Sequence, residues 1–465
     1  MAKTYNSYKD SGVEWIGEIP EGWEVLALKR IFKIIAGATP KSENEAYWDG
    51  DIAWITPADY KTEQKYVSFG RRNLSEQGYH ACSTVLLPKG SIVFSKRAPI
   101  GLVAITEREL CTNQGCLGCV PIRDVSNVFM YYLLSVYTEQ FELYGSGTTF
   151  KEISANNFAN FKLMLPPLSE QQSIASFLDT KCGEIDSLIS LQEEMISELQ
   201  AYKQSVITEA VTKGLDPNAK MNCCASREKN DACISSSETQ PAIERKFKDS
   251  GVEWIGEIPE TWKYAKLKNI INYIESGVSV NAGLEEVGPN DIGVLKTSSV
   301  SKNVFIPYEC KKVFENEINR VSCPVKANTI IVSRMNTPEL VGACGYVDRD
   351  YDNIFLPDRL WQVHFIESVY VKYYWYYLIS KRTKSYFSSL SSGTSSSMQN
   401  ISQPQFQGAP IAVPPLSEQQ AIASYLDVKT SQIDSLISLK QQKIDELKSY
   451  KKSIIYEYVT GKKRV

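Results

Sequence analysis

One seven-residue phrase occurs twice: residues 166–172 read PPLSEQQ, and residues 414–420 read PPLSEQQ again, 248 positions later. Each copy opens a long amphipathic stretch in which IDSLISL recurs, at Ile185 to Leu191 and Ile433 to Leu439. Identity of this length at that distance marks an internal duplication, which limits the chain to folds built from two related halves. A second phrase, KDSGVEWIGEIPE, stands at Lys9 to Glu21 and returns at Lys248 to Glu260, an offset of 239. The sequences between the two markers barely resemble each other. The order is therefore marker, variable block, PPLSEQQ, helix and linker, and then the same again.

The first variable block runs from about Trp23 to Leu165. Ala36 to Lys61 is rich in Gly, Pro and Asp and reads as loops around short strands. Leu87 to Ile105 holds two β-branched apolar runs broken by Lys96-Arg97-Ala98-Pro99, a strand–loop–strand signal. Val128 to Leu143 is apolar on a helical period, and Gly145 to Ser154 follows as a polar loop. The second block, about Trp262 to Val413, repeats this style with other letters: strand–loop–strand at Ile330 to Val347, an aromatic helix at Val369 to Ser380, a polar loop at Ser391 to Ser402. Both blocks read as mixed α/β (α+β) globules.

After each block the period changes to 3.6. Ser169 with Gln172 predicts a helix start with Ser as N-cap, and Gly214 with Pro217 a helix stop. The apolar positions Ile185, Leu188, Ile189, Ile196, Leu199, Tyr202 and Val206 step by three and four. Ile433, Leu436, Ile437, Ile444, Leu447, Tyr450 and Ile454 do the same in the second copy. The stripe is narrower than a globular helix needs and suits a partner helix. Two matched stripes predict an antiparallel coiled-coil pair holding the globules about 40 Å apart, from 1.5 Å per residue. Met221 to Gln240 is polar, Ser-rich and aperiodic, as expected of a linker. The expected organisation is a repeat segment (1–22), a variable block (23–165), a helical spacer (166–214), a linker (215–246), a second repeat segment (247–261), a second block (262–413) and a second spacer (414–465).

Composition excludes some classes. Net charge is −3, so any nucleic-acid contact must come from local basic faces. No apolar run reaches about 18 residues and the start lacks a signal-peptide pattern, so a cytoplasmic protein without membrane contact is expected. Eleven cysteines, an odd number, suit a reducing compartment better than a disulfide framework. Cys111, Cys116 and Cys119 have the spacing of a plant-type iron–sulfur ligand set. Small buried hydrophobes are the favoured reading, since the second half lacks the cluster. With two histidines, a zinc site is not expected, and no metal is assigned.

No phosphate-loop or nucleophile-elbow motif is present, and the PP pairs lack the Asn/Asp-Pro-Pro-aromatic form suited to amide-nitrogen methylation. Asp51 with Asp59-Tyr60-Lys61 is a nuclease-like trace with no counterpart in the second block. Catalytic residues are therefore expected to be none. Nucleic-acid contact is the better expectation. Lys96 and Arg97 fall in one turn, and Arg334 with Asn336 in its equivalent. Arg with Asn or Gln suits guanine and adenine edges. Lys41, Lys61, Arg71, Arg72, Lys151, Lys296 and Arg359 are candidate phosphate or base contacts, as are Asn113 and Gln114.

These repeats, in this order, resemble the specificity subunit of type I restriction–modification systems. The carrying motifs are GVEWIGEIPEGW (Gly12 to Trp23) with its second copy from Gly251, both PPLSEQQ-plus-helix segments, Gly37 to Lys61, and Ile100 to Gly115. The resemblance covers essentially the whole chain. It implies two target recognition domains, each reading half of a bipartite asymmetric double-stranded DNA site, and helical spacers that set the gap. Two methyltransferase subunits would dock on the repeats and restriction/translocase subunits would join them. S-adenosylmethionine, ATP and Mg2+ would belong to those partners, with no cofactor on this chain. The family's TPxxxxxxYW stretch maps to Thr39, Pro40, Tyr47 and Trp48, and its TNQG to Thr112 to Gly115. Its polar turn before PP maps to Gly147-Thr148-Thr149 and Gly393-Thr394. The alternatives are a stand-alone DNA nuclease or methyltransferase, and a coiled-coil adaptor that binds no DNA.

Overall fold

A computed structural model of the chain describes residues 4–61, 64–97, 99–146, 151–215, 245–283, 285–395 and 398–465. It divides into two units: residues 1–194 with 440–465, and residues 195–439. Each unit thus takes one recognition block, the opening half of the helix that follows it, and the closing half of the other long helix. The expected linker lies almost wholly outside the described residues, as does Gly147-Thr148-Thr149.

In the first unit the marker forms a hairpin, Tyr8–Asp10 against Glu18–Pro20. A five-stranded sheet runs in the order Phe32–Ala36, Cys116–Pro121, Ile92–Lys96, Ile100–Thr106, Tyr66–Val67. Its edge strand Tyr66–Val67 runs parallel to Ile100–Thr106, and a three-stranded sheet in the order Cys111–Thr112, Trp48–Ile55, Arg72–Leu74 also contains a parallel pair, Cys111 with Trp54. The apolar stretch expected as one helix is two, Asn127–Ser135 and Thr138–Leu143. The break at Val136–Tyr137 lets Phe141 reach Phe161 at 4.3 Å between ring centroids while Phe94 meets Phe158 at the same separation. Such ring clusters carry much of a core's burial.

The second unit repeats the plan. Phe247–Asp249 pairs with Glu257–Pro259, and a four-stranded sheet runs Ile271–Ser276, Leu360–Phe365, Thr329–Ser333, Cys344–Val347. A second four-stranded sheet, Cys310–Lys312, Gly293–Leu295, Tyr351–Phe355, Pro324–Val325, again contains one parallel pair, Gly293 with Ile354. Here the aromatic helix, Val371–Ile379, buries Tyr373, Tyr374, Tyr376 and Tyr377 almost completely, and a second helix, Lys381–Leu390, follows directly.

The spacer helices run Leu168–Lys213 and Leu416–Val459. Both begin earlier than the Ser N-cap expectation. Pro167 O accepts from Glu170 and Gln171, and Pro415 O from Glu418 and Gln419, so Ser169 and Ser417 sit inside the first turn. The paired prolines preset the backbone and remove donors that the first turn could not use. Gly214, at φ +75°, ends the first helix. Within each unit the helical halves are antiparallel. In the first, Phe177 packs on Tyr458 at 4.5 Å and Lys451 Nζ reaches Asp186 at 2.6 Å. In the second, Lys203 Nζ reaches Asp434 at 2.7 Å, and Ile207, Ala210 and Val211 share a core with Ile422, Ala423 and Leu426. The two ion pairs are the same pair, shifted by 248 positions.

Covered positions step by three and four through Cys182, Ile185, Ile189, Gln192, Ile196, Leu199, Lys203 and Val206, a heptad seam. The second helix repeats it through Thr430, Ile433, Ile437, Lys440, Ile444, Leu447, Lys451 and Ile454. Four residues assigned to the stripe do not belong to it: Leu188, Tyr202, Leu436 and Tyr450 are 47%, 57%, 48% and 56% exposed. Each is one position off the seam: Leu188 and Leu436 stand beside Ile189 and Ile437, and Tyr202 and Tyr450 beside Lys203 and Lys451, where the seam turns polar. Following apolar letters alone steps off the seam there.

The phrase PPLSEQQ is explained largely from inside. Glu170 accepts the indole N–H of Trp23 at 3.2 Å, and Glu418 that of Trp262 at 2.8 Å. Gln171 donates to Pro166 O and accepts from Ser126 N, just ahead of helix Asn127–Ser135. Gln419 donates to Pro414 O and accepts from Tyr370 N, just ahead of helix Val371–Ile379. The phrase joins each recognition block to its helix, and its Glu and first Gln are engaged by internal bonds. Leu168, Ser169 and Gln172 remain exposed, as do their second copies.

Candidate nucleic-acid interface

In the first block the turn after strand Ile92–Lys96 meets two other segments. Lys96 N–H donates to Gly115 O at 2.9 Å, and Lys96 O accepts from Ile153 N–H at 3.0 Å. Arg97 and Glu152 form an isolated antiparallel bridge. The second block repeats this junction in different letters. Arg334 N–H donates to Arg359 O at 3.2 Å, Arg334 O accepts from Ile401 N–H at 2.9 Å, and Met335 pairs with Asn400. In both, the receiving loop (113–115, 356–359) connects the partner of the parallel pair to the next sheet strand. Arg334 thus takes the backbone place of Lys96, and Asn400 that of Glu152, 248 residues on.

The side chains differ. Glu152 takes Lys96 Nζ at 2.7 Å and Arg97 Nη1 at 3.5 Å. The Lys96 hydrogen bond outweighs burial, and with Arg97 it holds the Glu152 carboxyl below its ordinary range. Arg334 Nε instead donates to Asp358 O at 2.8 Å. Asn336, expected as an adenine reader, is occupied at home: its Nδ2 donates to Ser333 Oγ and its Oδ1 accepts from Thr337 N. Asn113 Oδ1 accepts from Gly115 N, and Gln114 Oε1 accepts from the Thr39 hydroxyl. The latter bond ties the loop at 39–40 to the loop at 113–115.

The remaining candidates spread around this junction. Arg71 lies on the loop before Arg72–Leu74, donates to Ala58 O at 3.1 Å and stays largely exposed. Arg72 sits 4.0 Å over the Trp48 ring, a cation–π contact. Lys41, Lys61 and Lys151 are exposed in the first unit, and Arg359 in the second. Lys296 lies 3.7 Å from Glu309, one residue past strand Gly293–Leu295, whose parallel register with Ile354 and Phe355 brings its end beside the receiving loop 356–359. Gly393-Thr394 lie in strand Ser392–Ser395, whose sheet contains Met335–Asn336.

Two enzymatic or redox traces dissolve in this geometry. The Asp59 side chain is covered and hydrogen-bonded at home: Oδ2 accepts from Thr56 N and Oγ1, Oδ1 from Arg71 N. Cys111, Cys116 and Cys119 are fully buried on strands. Burial pushes the first two thiols up to about 11 and about 12, and the third also well up, with the Tyr60 hydroxyl 3.6 Å from the Cys116 sulfur. Their spacing packs a core.

Glu152, Asn400 and Asp358 were not among the sequence candidates. The signal for the first two was present: KEIS at 151–154 and QNIS at 399–402 keep the PPLSEQQ offset, and Ser154 and Ser402 both cap short helices.

Comparison with known proteins agrees with this two-fold plan. The family model described as "Type I restriction modification DNA specificity domain" matches twice, at residues 20–201 and 259–449. The type I restriction enzyme MjaIX specificity subunit of Methanocaldococcus jannaschii is 39% identical over 166 residues, 35% of this chain and 38% of that protein. This chain thus spans less than half the length of that relative. The MjaVIII specificity subunit of the same organism is 25% identical over 454 residues, 96% of this chain and 94% of its own. A solved structure described as "Structural basis underlying complex assembly and conformational transition of the type I R-M system" superposes with a TM-score of 0.65 at 16% identity. It covers 95% of this chain and 98% of that one, a likeness of fold. With the family's domain matched twice over most of its length, the chain belongs to the type I restriction–modification DNA specificity family.

Proposed function

We propose that this chain is the sequence-reading subunit of a type I restriction–modification complex: each recognition domain reads one half of a bipartite, asymmetric double-stranded DNA site. The observation that carries this reading is the junction built twice on one backbone plan with different polar side chains. Two unlike readers on identical supports suit two unlike half-sites. The chain leaves chemistry to its partners. Two methyltransferase subunits dock on the repeats, and restriction/translocase subunits join them; S-adenosylmethionine, ATP and Mg2+ are held there. The spacer helices set the gap, and the complex works in the cytoplasm. Among the described residues no helix is long and apolar enough to cross a membrane.

Methylome sequencing of a host carrying the chain with its methyltransferase partner tests this. A bipartite motif with a fixed gap is expected. Inserting one helical turn after Leu191 should change the gap and leave the half-site letters alone. Methylation without a motif would overturn the proposal, and altered letters would overturn the spacer role.

A further inference from the structure

The two junctions differ most where their backbones agree best. Residue 152 in the first domain and residue 400 in the second stand one place before an isoleucine that bonds the turn carbonyl. Both pair with the turn's outgoing strand, through Arg97 and Met335. One is a carboxylate that draws in two cations; the other is a neutral amide whose Oδ1 is enclosed with no hydrogen-bond partner among the described residues.

The carboxylate does not treat its cations alike. Lys96 is the closer at 2.7 Å, and its side chain is only 16% exposed. Arg97 is held loosely at 3.5 Å through Nη1 and is 38% exposed. Guanidinium carries five N–H donors in a rigid fork, so one bond to Glu152 orients the plane without exhausting it. A fork held this way can present two parallel donors to guanine O6 and N7, the pairing that reads guanine in the major groove. In the second domain Arg334 is oriented by a carbonyl, that of Asp358, through Nε. Among the described residues the side-chain hydrogen bond of Arg334 runs through Nε, which leaves its Nη groups for the same task without a carboxylate.

Resting on the DNA-reading function proposed above, we propose that position 152/400 is a specificity-determining position. Glu152 is a positioning residue that absorbs Lys96 and aims Arg97 at one guanine of the first domain's half-site, while Asn400 leaves the aim of Arg334 to the Asp358 carbonyl.

The test is selection from a duplex pool with a 30-bp random core, bound by the full-length chain and sequenced. Wild-type protein should enrich a bipartite motif with a guanine column in each half. Glu152→Gln, which keeps the shape and removes the charge, should cut the preference at the first guanine column about tenfold, within the range for a bidentate contact. The second half-site should be unchanged and so reports that the chain is folded. Glu152→Asp should keep the guanine. Asn400→Glu should alter one column of the second half-site only. The assignment is overturned if Glu152→Gln leaves every column as it was. It is equally overturned if that variant weakens all columns together, which would make Glu152 structural. Failure of wild-type protein to enrich any motif would sink the DNA-reading function itself, and this assignment with it.

Discussion

Asp179 and Asp427 stand 248 residues apart on the two spacer helices, and each fastens a recognition domain to its helix. Asp179 accepts from the Tyr132 hydroxyl at 2.7 Å, and Asp427 from the Tyr376 hydroxyl at 2.8 Å. The lysine that completes each clamp has a different origin. Lys65 comes from the loop before strand Tyr66–Val67, whereas Lys372 comes from the first turn of helix Val371–Ile379. Each also lies over an aromatic ring, Tyr132 for Lys65 and Tyr346 for Lys372. The helix side of the joint has kept its letters, and the domain side has found the same charge from another element. A duplicated support can thus carry domains whose sequences share little, provided each returns one tyrosine and one cation to a fixed carboxylate.

The comparison is broken most severely at the tryptophans. Trp23 and Trp262 are both fully buried and both donate to the glutamate of PPLSEQQ. Replacing either by Ala should cost about 3–5 kcal/mol, the range for deleting a large aromatic from a packed core. Denaturant unfolding of the two variants should give similar losses. A loss under about 1 kcal/mol in one of them would show that the two joints are not energetic equivalents, whatever their letters.

The clamps should separate the units more finely. Burial comes first and the neighbouring carboxylate second in keeping the Tyr132 phenol protonated, so its hydrogen bond persists across the working pH range. Tyr132→Phe leaves Asp179 with Lys65 alone and should cost about 1–2 kcal/mol. In the second unit the Tyr376 hydroxyl also lies 3.3 Å from Thr430 Oγ1, and Thr430 is buried. Tyr376→Phe removes both contacts, and because Tyr132 has the weaker Cys182 thiol where Tyr376 has the Thr430 hydroxyl, it should cost slightly more than its counterpart. Equal losses would mean that the threonine contributes no more than the cysteine. Lys65→Ala and Lys372→Ala should each cost less than their tyrosine variants, because both ion pairs are open to water and screened.

Much of this was legible in the letters, and what was not has a physical cause. The duplication, the helix stop at Gly214 and the strand–loop–strand at Leu87 to Ile105 all rest on local signals: repeated words, Gly–Pro punctuation, β-branched runs. The seam was misread at Tyr202 and Tyr450 because it turns polar at Lys203 and Lys451, and at Leu188 and Leu436 because each is the apolar neighbour of a seam isoleucine; only the opposing helix says which face is covered. Asn336 looked like a base reader until its own turn claimed both ends of its amide. Glu152 escaped attention because a single glutamate in a polar loop has no period and no motif. Its role appears only when Lys96 and Arg97, more than fifty positions earlier, fold back upon it.

The smallest effects should lie in the helix pair itself. Lys451 with Asp186 and Lys203 with Asp434 are the same contact made once in each unit, at 2.6 and 2.7 Å. In both, the lysine is the covered member and the aspartate the open one: 21% against 54%, and 25% against 56%. Exposed pairs contribute about 0.2–1 kcal/mol, so each double-mutant cycle should return a coupling in that range. The stronger expectation is that the two couplings agree, since surroundings and geometry repeat. Raising ionic strength toward 1 M should erase both together, because each aspartate faces solvent. Couplings that differ by a factor of three or more would mean that the domain beside each pair reaches into the helices. The supports would then be repeated in letters but tuned in energy by the readers they carry.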